Sequence, residues 1–230
     1  MTICTITAEP YDFEFDPRTT ALAMIDFQRD FVYPGGFGEA LGNDTTLLMK
    51  AVPPAEKVLT ACREKGIFVI HTREGHRPDL SDLAEAKKER GHLKTGIGDK
   101  GPMGRILVRG EYGHDIVDEL KPIAGEPIID KSGKGAFYAT DLDTVLKTRG
   151  IRKLIVCGVT TEVCVHTTVR EANDRGYDAV VLSDCVGSYF PEFQRVALAM
   201  IKAQGGIFGW VSDSASTLAT LAKIPALAKA

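Results

Sequence analysis

Residues 153–165 read KLIVCGVTTEVCV, in which an apolar run is followed by two threonines, a glutamate and a cysteine. The run at residues 153–156 predicts a buried β-strand. Thr161 is a typical N-cap residue and predicts a helix that continues to Gly176, since glycine commonly ends a helix. A strand that leads within a few residues into a helix is typical of a parallel sheet, so this stretch predicts an α/β fold.

The same pattern of strand and helix recurs along the rest of the chain. Pro53 and Pro54 predict the start of a helix that ends at Gly66, and Thr140 predicts the start of another that ends at Gly150. Further short β-branched runs predict strands at residues 20–25, 67–72, 127–129, 178–182 and 207–211. Because these strands are almost continuously apolar, both faces of the sheet must be covered. We therefore expect a three-layer αβα sandwich, Rossmann-like, around a mostly parallel sheet of about six strands.

The domain organisation expected from these elements is simple. We predict a single domain over residues 1–230. Residues 1–18 are expected to form an N-terminal arm that packs on the surface or on a neighbouring chain. Residues 73–113 are rich in charge and glycine, which predicts a long excursion from the sheet with a short helix near residues 83–90.

Composition argues against several classes of protein. The chain has 230 residues, of which 44% are hydrophobic and 26% charged, as in soluble globular proteins. Its net charge of -3 leaves no excess of positive charge for phosphates, so we expect no nucleic-acid partner. The apolar runs are far shorter than the roughly 20 residues that cross a bilayer, and the N-terminus lacks the pattern of a signal peptide. We expect a cytoplasmic protein with no membrane partner and with free thiols.

Polar side chains follow three of the predicted strands directly. Ligands of open parallel sheets bind beyond the carboxyl ends of the strands, where loops lead into helix N-termini. Asp26 follows the first strand, Lys131 follows the third and Cys164 follows the fourth. We therefore expect an acid, a lysine and a cysteine to meet at one edge of the sheet.

Cys164 is the strongest candidate for a nucleophile. The first turn of the helix predicted from Thr161 would hold it, and the helix dipole and free N–H groups there favour a thiolate and can hold an oxyanion. Cys62 and Cys157 fall inside a predicted helix and strand, where a cysteine is usually a small buried hydrophobe. Cys185 also follows a predicted strand and remains the main alternative, although no capped helix lies directly behind it.

Asp26 and Lys131 would serve the thiol in different ways. A lysine ammonium lowers the pKa of a nearby thiol, and a carboxylate can accept the thiol proton and deliver it to a leaving amine. A second interpretation stays open from the residues alone, in which Asp26 caps its loop and Lys131 is a solvated charge at a strand end.

Three other patterns do not predict a cofactor or a metal. Residues 96–101 match G-x-G-x-x-G but follow no strand, and residues 133–135 lack the other residues of a phosphate-binding loop. A group of possible ligands follows the second strand, but its spacing matches no standard metal site; it comprises His71, Glu74, His76 and Asp79. We expect no metal and no cofactor.

From about Thr20 to Ser214, the chain resembles the isochorismatase-like cysteine hydrolases, a family that includes nicotinamidases, N-carbamoylsarcosine amidohydrolase, ureidoacrylate amidohydrolase and biuret hydrolase. The most specific matching segments are residues 23–31, Lys131 with residues 135–137, and residues 158–165. The resemblance implies a catalytic triad and an oxyanion hole formed by two backbone N–H groups, beside a cis peptide bond between Val159 and Thr160. The triad is Asp26, Lys131 and Cys164, and the N–H groups are those of Thr160 and Cys164.

Within the family, residues 131–142, 170–176 and 204–209 look most like biuret hydrolase and its triuret-hydrolysing relatives. That similarity implies substrate contacts from Phe31, Lys134 and Gln204. Nicotinamidases of the family bind a metal through an Asp-x-His element, which this sequence lacks between Asp26 and Lys131. The segment after the fifth strand, residues 185–192, departs from the biuret hydrolase pattern, so the choice between biuret and triuret stays open.

The resemblance implies a metal-independent amidohydrolase that cleaves a C–N bond of triuret or biuret through a thioester on Cys164. The alternatives are hydrolysis of ureidoacrylate or N-carbamoylsarcosine, a vinyl-ether hydrolase of the isochorismatase type, and a noncatalytic scaffold. The expected partners are a small urea-type substrate and further copies of the chain, in a dimer or a tetramer.

Overall fold

The computed structural model describes residues 3–89 and 95–227 of the chain. The strands are β1 (Cys4–Ile6), β2 (Phe13–Phe15), β3 (Thr20–Ile25), β4 (Phe68–Glu74), β5 (Lys100–Gly101), β6 (Gly104–Arg105), β7 (Ile128–Lys131), β8 (Lys153–Val159), β9 (Asp178–Gly187) and β10 (Trp210–Ser212). The helices are α1 (Arg29–Val32), α2 (Phe37–Ala40), α3 (Thr46–Met49), α4 (Val52–Lys65), α5 (Glu85–Lys88), α6 (Leu142–Thr148), α7 (His166–Asp174), α8 (Pro191–Gly206) and α9 (Ser214–Leu221). No helix within these residues combines the length and the apolar character needed to cross a lipid bilayer.

Six strands form one sheet in the order β10-β9-β8-β3-β4-β7, and each neighbouring pair is parallel. β3 lies between β8 and β4, and each of its residues, TALAMI, is buried. The predicted α/β fold with a six-stranded parallel sheet is confirmed. All six carboxyl ends point to one edge, which places the loops after β3, β4, β7 and β8 together.

Helices cover both faces of the sheet. Leu22 and Met24 of β3 belong to one core, which includes Val58 and Leu59 of α4. Ala23 and Ile25 belong to a second core, formed with residues of α6 and α7. Because successive strand residues point to opposite faces, β3 contributes to both cores, and the result is three layers.

The helix boundaries follow local signals in most places. α4 has proline in its first turn and ends at Gly66, whose φ of 75° lies in the left-handed region that glycine adopts without cost. The helix predicted from Thr161 begins differently, because Thr160 is its N-cap and residues Thr161–Val165 form a π-helical turn before α7. The Thr161 hydroxyl is buried and does not cap the helix.

The N-terminal segment is part of the core, which corrects the expected surface arm. β1 and β2 form an antiparallel ribbon, and Glu9 pairs with Val211 of β10. The alternating sequence of β2 turns Phe13 and Phe15 inward, and both are almost completely buried. The alternation of apolar and polar residues at Phe13, Glu14 and Phe15 is the sequence signal for β2, and the expectation of a surface arm did not take it into account.

The excursion after β4 returns to the sheet edge near the loop that follows β3. It contains α5, shorter than the helix predicted near residues 83–90, of which residue 90 lies outside the described ranges. β5 and β6 form a hairpin, and buried Leu107 donates its N–H to the Asp30 carboxylate at 2.9 Å. The excursion therefore covers the residues that follow Asp26.

Glu126 connects several elements at the opposite edge of the sheet through hydrogen bonds. Burial alone would raise its pKa, but hydrogen bonds from Arg63, His71 and the Ile123 N–H outweigh burial and lower the pKa from 4.5 to about 2. Because the pKa is lowered on folding, the carboxylate stabilises the fold fully above pH 4.5 and progressively less as the pH falls toward 2.

We expect Glu126→Gln to lower the free energy of unfolding by at most about 3 kcal/mol at pH 7, at 1.36 kcal/mol per pKa unit. The difference from wild type should shrink as the pH falls below 4.5. Urea unfolding of both proteins between pH 7 and pH 3 measures this difference in the free energy of unfolding. Glu192→Gln, which removes an exposed partner of Arg195, is the control and should leave stability nearly unchanged. A difference that grows in acid would contradict this account.

Candidate active site

Asp26 and Lys131 form a buried ion pair at the carboxyl edge of the sheet. Asp26 follows β3, and Lys131 ends β7, with β4 between the two strands. The Lys131 side chain reaches across β4, so that its Nζ lies 2.6 Å from Asp26 Oδ2. The Thr72 hydroxyl donates to Asp26 Oδ1 at 2.5 Å, and neither charged side chain is exposed. The pair that the sequence predicts at one edge therefore exists, and it is not a solvated surface charge.

Cys164 lies in the π-helical turn that follows β8, and only 3% of it is exposed. The peptide bond between Val159 and Thr160 is cis, as the resemblance implies. The Thr160 N–H makes no hydrogen bond to any residue in the ranges 3–89 and 95–227, so it remains available for a ligand oxygen. Gly158, just before it, is required because a Cβ there would overlap Ile25 of the neighbouring strand.

Glu74 is the site residue that sequence reasoning missed. It ends β4 between Asp26 and Lys131, is almost fully buried, and accepts a hydrogen bond from Cys164 Sγ at 3.3 Å through Oε2. Its other oxygen, Oε1, lies 2.5 Å from Lys134 Nζ. In the sequence, Glu74 stands out only as a possible metal ligand. The rule that selected Asp26 and Lys131, a polar residue at the carboxyl end of a parallel strand, would have selected it too.

The charges around Cys164 and Glu74 determine the protonation states of these two side chains. Burial alone would raise the pKa of Glu74, but the ammonium groups of Lys131 and Lys134 outweigh burial and lower it. Burial raises the pKa of the Cys164 thiol well above its ordinary value, and the two carboxylates act in the same direction against the two lysines. The thiol is therefore neutral, and the Glu74 carboxylate lies between the ammonium groups of Lys131 and Lys134.

Gln28 fixes the backbone of Glu74. Its side-chain Nε2 donates to the carbonyls of Glu74 at 2.8 Å and His114 at 2.9 Å, and its Oε1 accepts from the Glu74 N–H at 2.6 Å. Gln28 is completely buried, so these bonds are shielded from water. The end of β4 is thereby joined to the loop after β3, which carries Asp26.

The loop after β7 is docked on the helix that carries Cys164. The N–H of Ala136 donates to the Thr168 hydroxyl at 3.1 Å, and the N–H of Phe137 donates to Glu171 at 3.0 Å. A Cβ on Gly135 would overlap the Glu171 carboxylate, so glycine lets this carboxylate keep the position in which it accepts from the Phe137 N–H. Docking on α7 holds the lysines of this loop near the thiol.

Two of the residues predicted to contact the substrate, Lys134 and Phe31, lie at the carboxyl edge of the sheet. Lys134 lies at the site, where its side chain is 47% exposed at the outer side of the Glu74 carboxylate. Phe31 is in α1 at the same edge of the sheet and is partly buried, with its carbonyl accepting from the Tyr189 hydroxyl at 2.7 Å.

Gln204 is not brought to Cys164 within this chain. α8 begins after the carboxyl end of β9 at Pro191. Gln204 lies about 20 Å along the helix axis from Pro191, at 1.5 Å per residue, where the helical backbone geometry ends. The chain then enters β10, where Trp210 pairs with Val180 near the start of β9. Gln204 is exposed and lies toward the amino edge of the sheet.

Cys185 lies inside β9 and does not follow it, because the strand extends to Gly187. Its side chain packs with Cys62 and Cys157 in the core on the opposite face of the sheet from Cys164. Cys164 is therefore the cysteine that joins Asp26 and Lys131.

The possible metal ligands named from the sequence are not clustered. His71 contacts Glu126 at 2.9 Å and His76 contacts Asp82 at 3.2 Å. Atoms of metal-ligand type from Asp26, Glu74 and Cys164 do lie within 4.8 Å of one another. The two lysines already contact those carboxylates, so a cation there would meet two positive charges at short range. This set of groups suits proton transfer better than metal binding.

A cleft of about 810 Å³ lies far from this cluster. It is lined by residues such as Gly66, Phe68 and Arg149, which lie at or beside the amino ends of strands. Ligands of parallel sheets bind at the carboxyl ends, so the buried cluster, and not this cleft, is the candidate active site.

Comparison with known proteins shows the family and the fold of this chain. Residues 20–216 match the model of the isochorismatase domain. A cysteine hydrolase from Pseudomonas syringae pv. phaseolicola 1448A is 29% identical, with a TM-score of 0.77 over 91% of this chain and 95% of that one. An isochorismatase family protein from Desulfovibrio vulgaris subsp. vulgaris str. Hildenborough is 31% identical, with a TM-score of 0.73 over 90% of this chain and 100% of that one.

A structure described as N-carbamoylsarcosine amidase from Thermoplasma acidophilum is also similar. It is 25% identical, with a TM-score of 0.65 over 85% of this chain and 96% of that one. The matched domain spans β3 to α9 and includes each residue of the buried cluster. The chain therefore belongs to the isochorismatase-like family of cysteine hydrolases.

Proposed function

We propose that this hydrolase cleaves a C–N bond of a small, neutral urea-type amide, triuret or biuret, through a thioester on Cys164 and without a metal. The pairing of charges around the thiol carries the proposal. Asp26 pairs with Lys131, and Glu74 pairs with Lys134, so the site has no net charge while the thiol is protonated. A neutral substrate with alternating C=O and N–H groups suits such a site, because the paired charges offer it both donors and acceptors.

The reaction proposed for these residues has two stages. Cys164 Sγ attacks a carbamoyl carbon while the N–H groups of Thr160 and Cys164 face the oxyanion. A carboxylate, Asp26 in the pattern that the family resemblance implies, carries the thiol proton to the departing nitrogen, and the C–N bond breaks. Water then attacks the thioester carbon, and the C–S bond breaks to release the acid.

The products follow from the bond that is cut. Biuret yields allophanate and ammonia. Cleavage of an inner C–N bond of triuret yields either biuret and carbamate or allophanate and urea.

Contacts from Phe31, Lys134 and Gln204 are part of the proposal. Lys134 stands at the edge of the cluster and is partly open to solvent, where it can donate to a substrate carbonyl. Gln204 can contact a substrate only if it comes from a second copy of the chain, since it lies toward the other edge of its own sheet. This agrees with the proposed dimer or tetramer.

A ureido acid is the second candidate substrate. The structural similarity to a protein named N-carbamoylsarcosine amidase favours it. Such a substrate carries a carboxylate, which needs an unpaired cation. Both lysines next to the thiol are already paired with carboxylates, and this is why we place the neutral substrate first.

A panel of amides tests the proposed function. Ammonia release by the purified protein should be fastest with biuret or triuret, compared with ureidoacrylate, N-carbamoylsarcosine and nicotinamide. Activity should persist after prolonged chelation, because the acid, lysine and thiol supply the chemistry. Preference for a carboxylate-bearing substrate would overturn the neutral-urea assignment, and loss on chelation with recovery on adding zinc would overturn the metal-free mechanism.

Lys134→Ala should lower kcat/KM for the preferred urea by roughly ten- to a hundredfold. The lost donor leaves a substrate carbonyl unsatisfied, at about 1 to 3 kcal/mol, and about 1.4 kcal/mol corresponds to each tenfold change in rate. Steady-state kinetics on the preferred substrate measure it. Lys87→Ala removes a lysine that contacts the same loop through the Ser132 carbonyl, and it serves as the control that should retain activity. Equal effects of the two substitutions would contradict a substrate contact from Lys134.

A further inference from the structure

The thiol of Cys164 donates its hydrogen bond to Glu74 and not to Asp26. Sγ lies 3.3 Å from Glu74 Oε2. Asp26 Oδ1 accepts from the Thr72 hydroxyl at 2.5 Å and Asp26 Oδ2 lies 2.6 Å from Lys131 Nζ, whereas the hydrogen bond of Sγ goes to Glu74. Among the residues described, Glu74 is thus the carboxylate that is positioned to accept the thiol proton.

We propose that Glu74 is a further catalytic residue, which accepts the proton of Cys164 during attack and delivers it to the departing nitrogen. This inference deepens the proposed amide hydrolysis and rests on it. It leaves Asp26 with two other tasks, which are to hold Lys131 beside the thiol and to activate the water of the second stage.

The charges around Glu74 support this proton path. When the proton moves from sulfur to Glu74, the carboxyl group becomes neutral, and the thiolate is left near the ammonium groups of Lys131 and Lys134. Lys134 Nζ lies 2.5 Å from Oε1, and Lys131 Nζ lies 3.9 Å from Oε2. In a buried site, charges at such distances stabilise each other much more strongly than in water. The total charge of the cluster does not change during the transfer.

The resting site keeps its proton on sulfur. Burial raises the pKa of the Cys164 thiol, and the two ammonium groups, acting against burial, lower the pKa of Glu74. Transfer is therefore coupled to attack, because the forming S–C bond removes the thiolate charge as it develops. A buried thiol that stays protonated without substrate is also protected from alkylation and oxidation, which act on the thiolate.

The proposed step balances in protons and bonds. The S–H proton passes to Glu74 Oε2 as the S–C bond forms and the carbonyl oxygen becomes an oxyanion. When the tetrahedral intermediate collapses, the C–N bond breaks and the departing nitrogen takes the proton from Glu74. Glu74 is again a carboxylate, the amine leaves neutral, and the acyl group remains on sulfur.

The Glu74→Gln variant separates proton transfer from thiol reactivity. We expect kcat/KM for the preferred amide to fall by at least about a hundredfold, since a positioned acid or base commonly contributes that much. The alkylation of Cys164 by iodoacetamide at pH 7, followed by mass spectrometry of its peptide, should stay equal or become faster. The reason is that removal of a neighbouring negative charge favours the thiolate, and alkylation needs no proton for a leaving nitrogen.

Matched controls and outcomes make the test decisive. Glu162→Gln removes a carboxylate from the same helical turn, two residues from Cys164, and should leave both rates near wild type. The proposal is overturned if Glu74→Gln keeps kcat/KM within about threefold of wild type. It is also overturned if alkylation and turnover fall by the same factor, because Glu74 would then act only by shaping the thiol.

Glu74→Gln leaves Lys134 without its carboxylate partner, and the variant could fail to fold for that reason. A second comparison, of two variants that both lack Lys134, covers this case. The double variant Glu74→Gln/Lys134→Ala removes both members of the ion pair. Its kcat/KM should be at least about a hundredfold below that of Lys134→Ala alone, and equal values overturn the proposal.

A different result would show that the proposed function, and not the role of Glu74, is wrong. If the wild-type protein hydrolyses no amide of the panel, the amide assignment is wrong. The pH profile of alkylation then tests the Glu74–Cys164 contact by itself. The profile should shift to lower pH in Glu74→Gln, and an unshifted profile overturns the inference.

Discussion

Cys164→Ala is expected to lower kcat/KM for the preferred urea by at least about 10⁴-fold, because nothing else in the cluster can form the covalent intermediate. Cys164→Ser should be almost as inactive, since a serine hydroxyl does not ionise near neutral pH in this buried position. Both variants should keep the cooperative unfolding of the wild type, because the sulfur fills little core volume. Steady-state kinetics and thermal unfolding of the purified variants measure the two effects.

Cys185→Ala is the matched control for this prediction. Cys185 is equally buried, but it belongs to the core on the other face of the sheet. Its removal should cost stability through a small cavity while most of the activity remains. If Cys185→Ala were inactive and Cys164→Ala active, the assignment of the nucleophile would be wrong.

Lys131→Met should have the next largest effect, on stability and activity together. Lys131 is fully buried and lies 2.6 Å from Asp26, so its loss leaves an unpaired carboxylate inside the protein. Breaking a buried ion pair in this way costs about 3 to 5 kcal/mol. The thiol would also lose the cation that lowers its pKa most, so alkylation at pH 7 should slow and turnover should fall at least about 10³-fold.

The double variant Asp26→Asn/Lys131→Met separates these two effects. Asparagine is the appropriate replacement because Asp26 has a φ of 50°, a conformation that asparagine tolerates better than most residues. The pair is then neutral, so most of the lost stability should return while activity remains absent. Urea unfolding and ammonia release test both parts. Recovery of activity with stability would show that Asp26 and Lys131 serve only the fold.

Local sequence determined the sheet and most of the residues at its active edge. Apolar runs and helix-ending glycines act over a few residues, so β3, β8 and the end of α4 at Gly66 could be predicted without knowledge of distant contacts. The rule for parallel sheets then selects Asp26 and Lys131, because each stands where its strand ends. Cys164 could be placed in the turn behind β8 for the same reason.

Tertiary structure decided what surrounds the thiol. Glu74 lies 90 residues from Cys164 and 60 from Lys134 in the sequence, and only the order β8-β3-β4-β7 brings the three together. The same topology places Cys185 in the opposite core, and the course of α8 carries Gln204 away from the cluster. Strand order and helix direction depend on long-range packing, so the position of Glu74 at a strand end could be predicted from the sequence, whereas its contacts with Cys164 and Lys134 could not. The charge pairing that determines where the thiol proton goes is therefore a property of the folded chain alone.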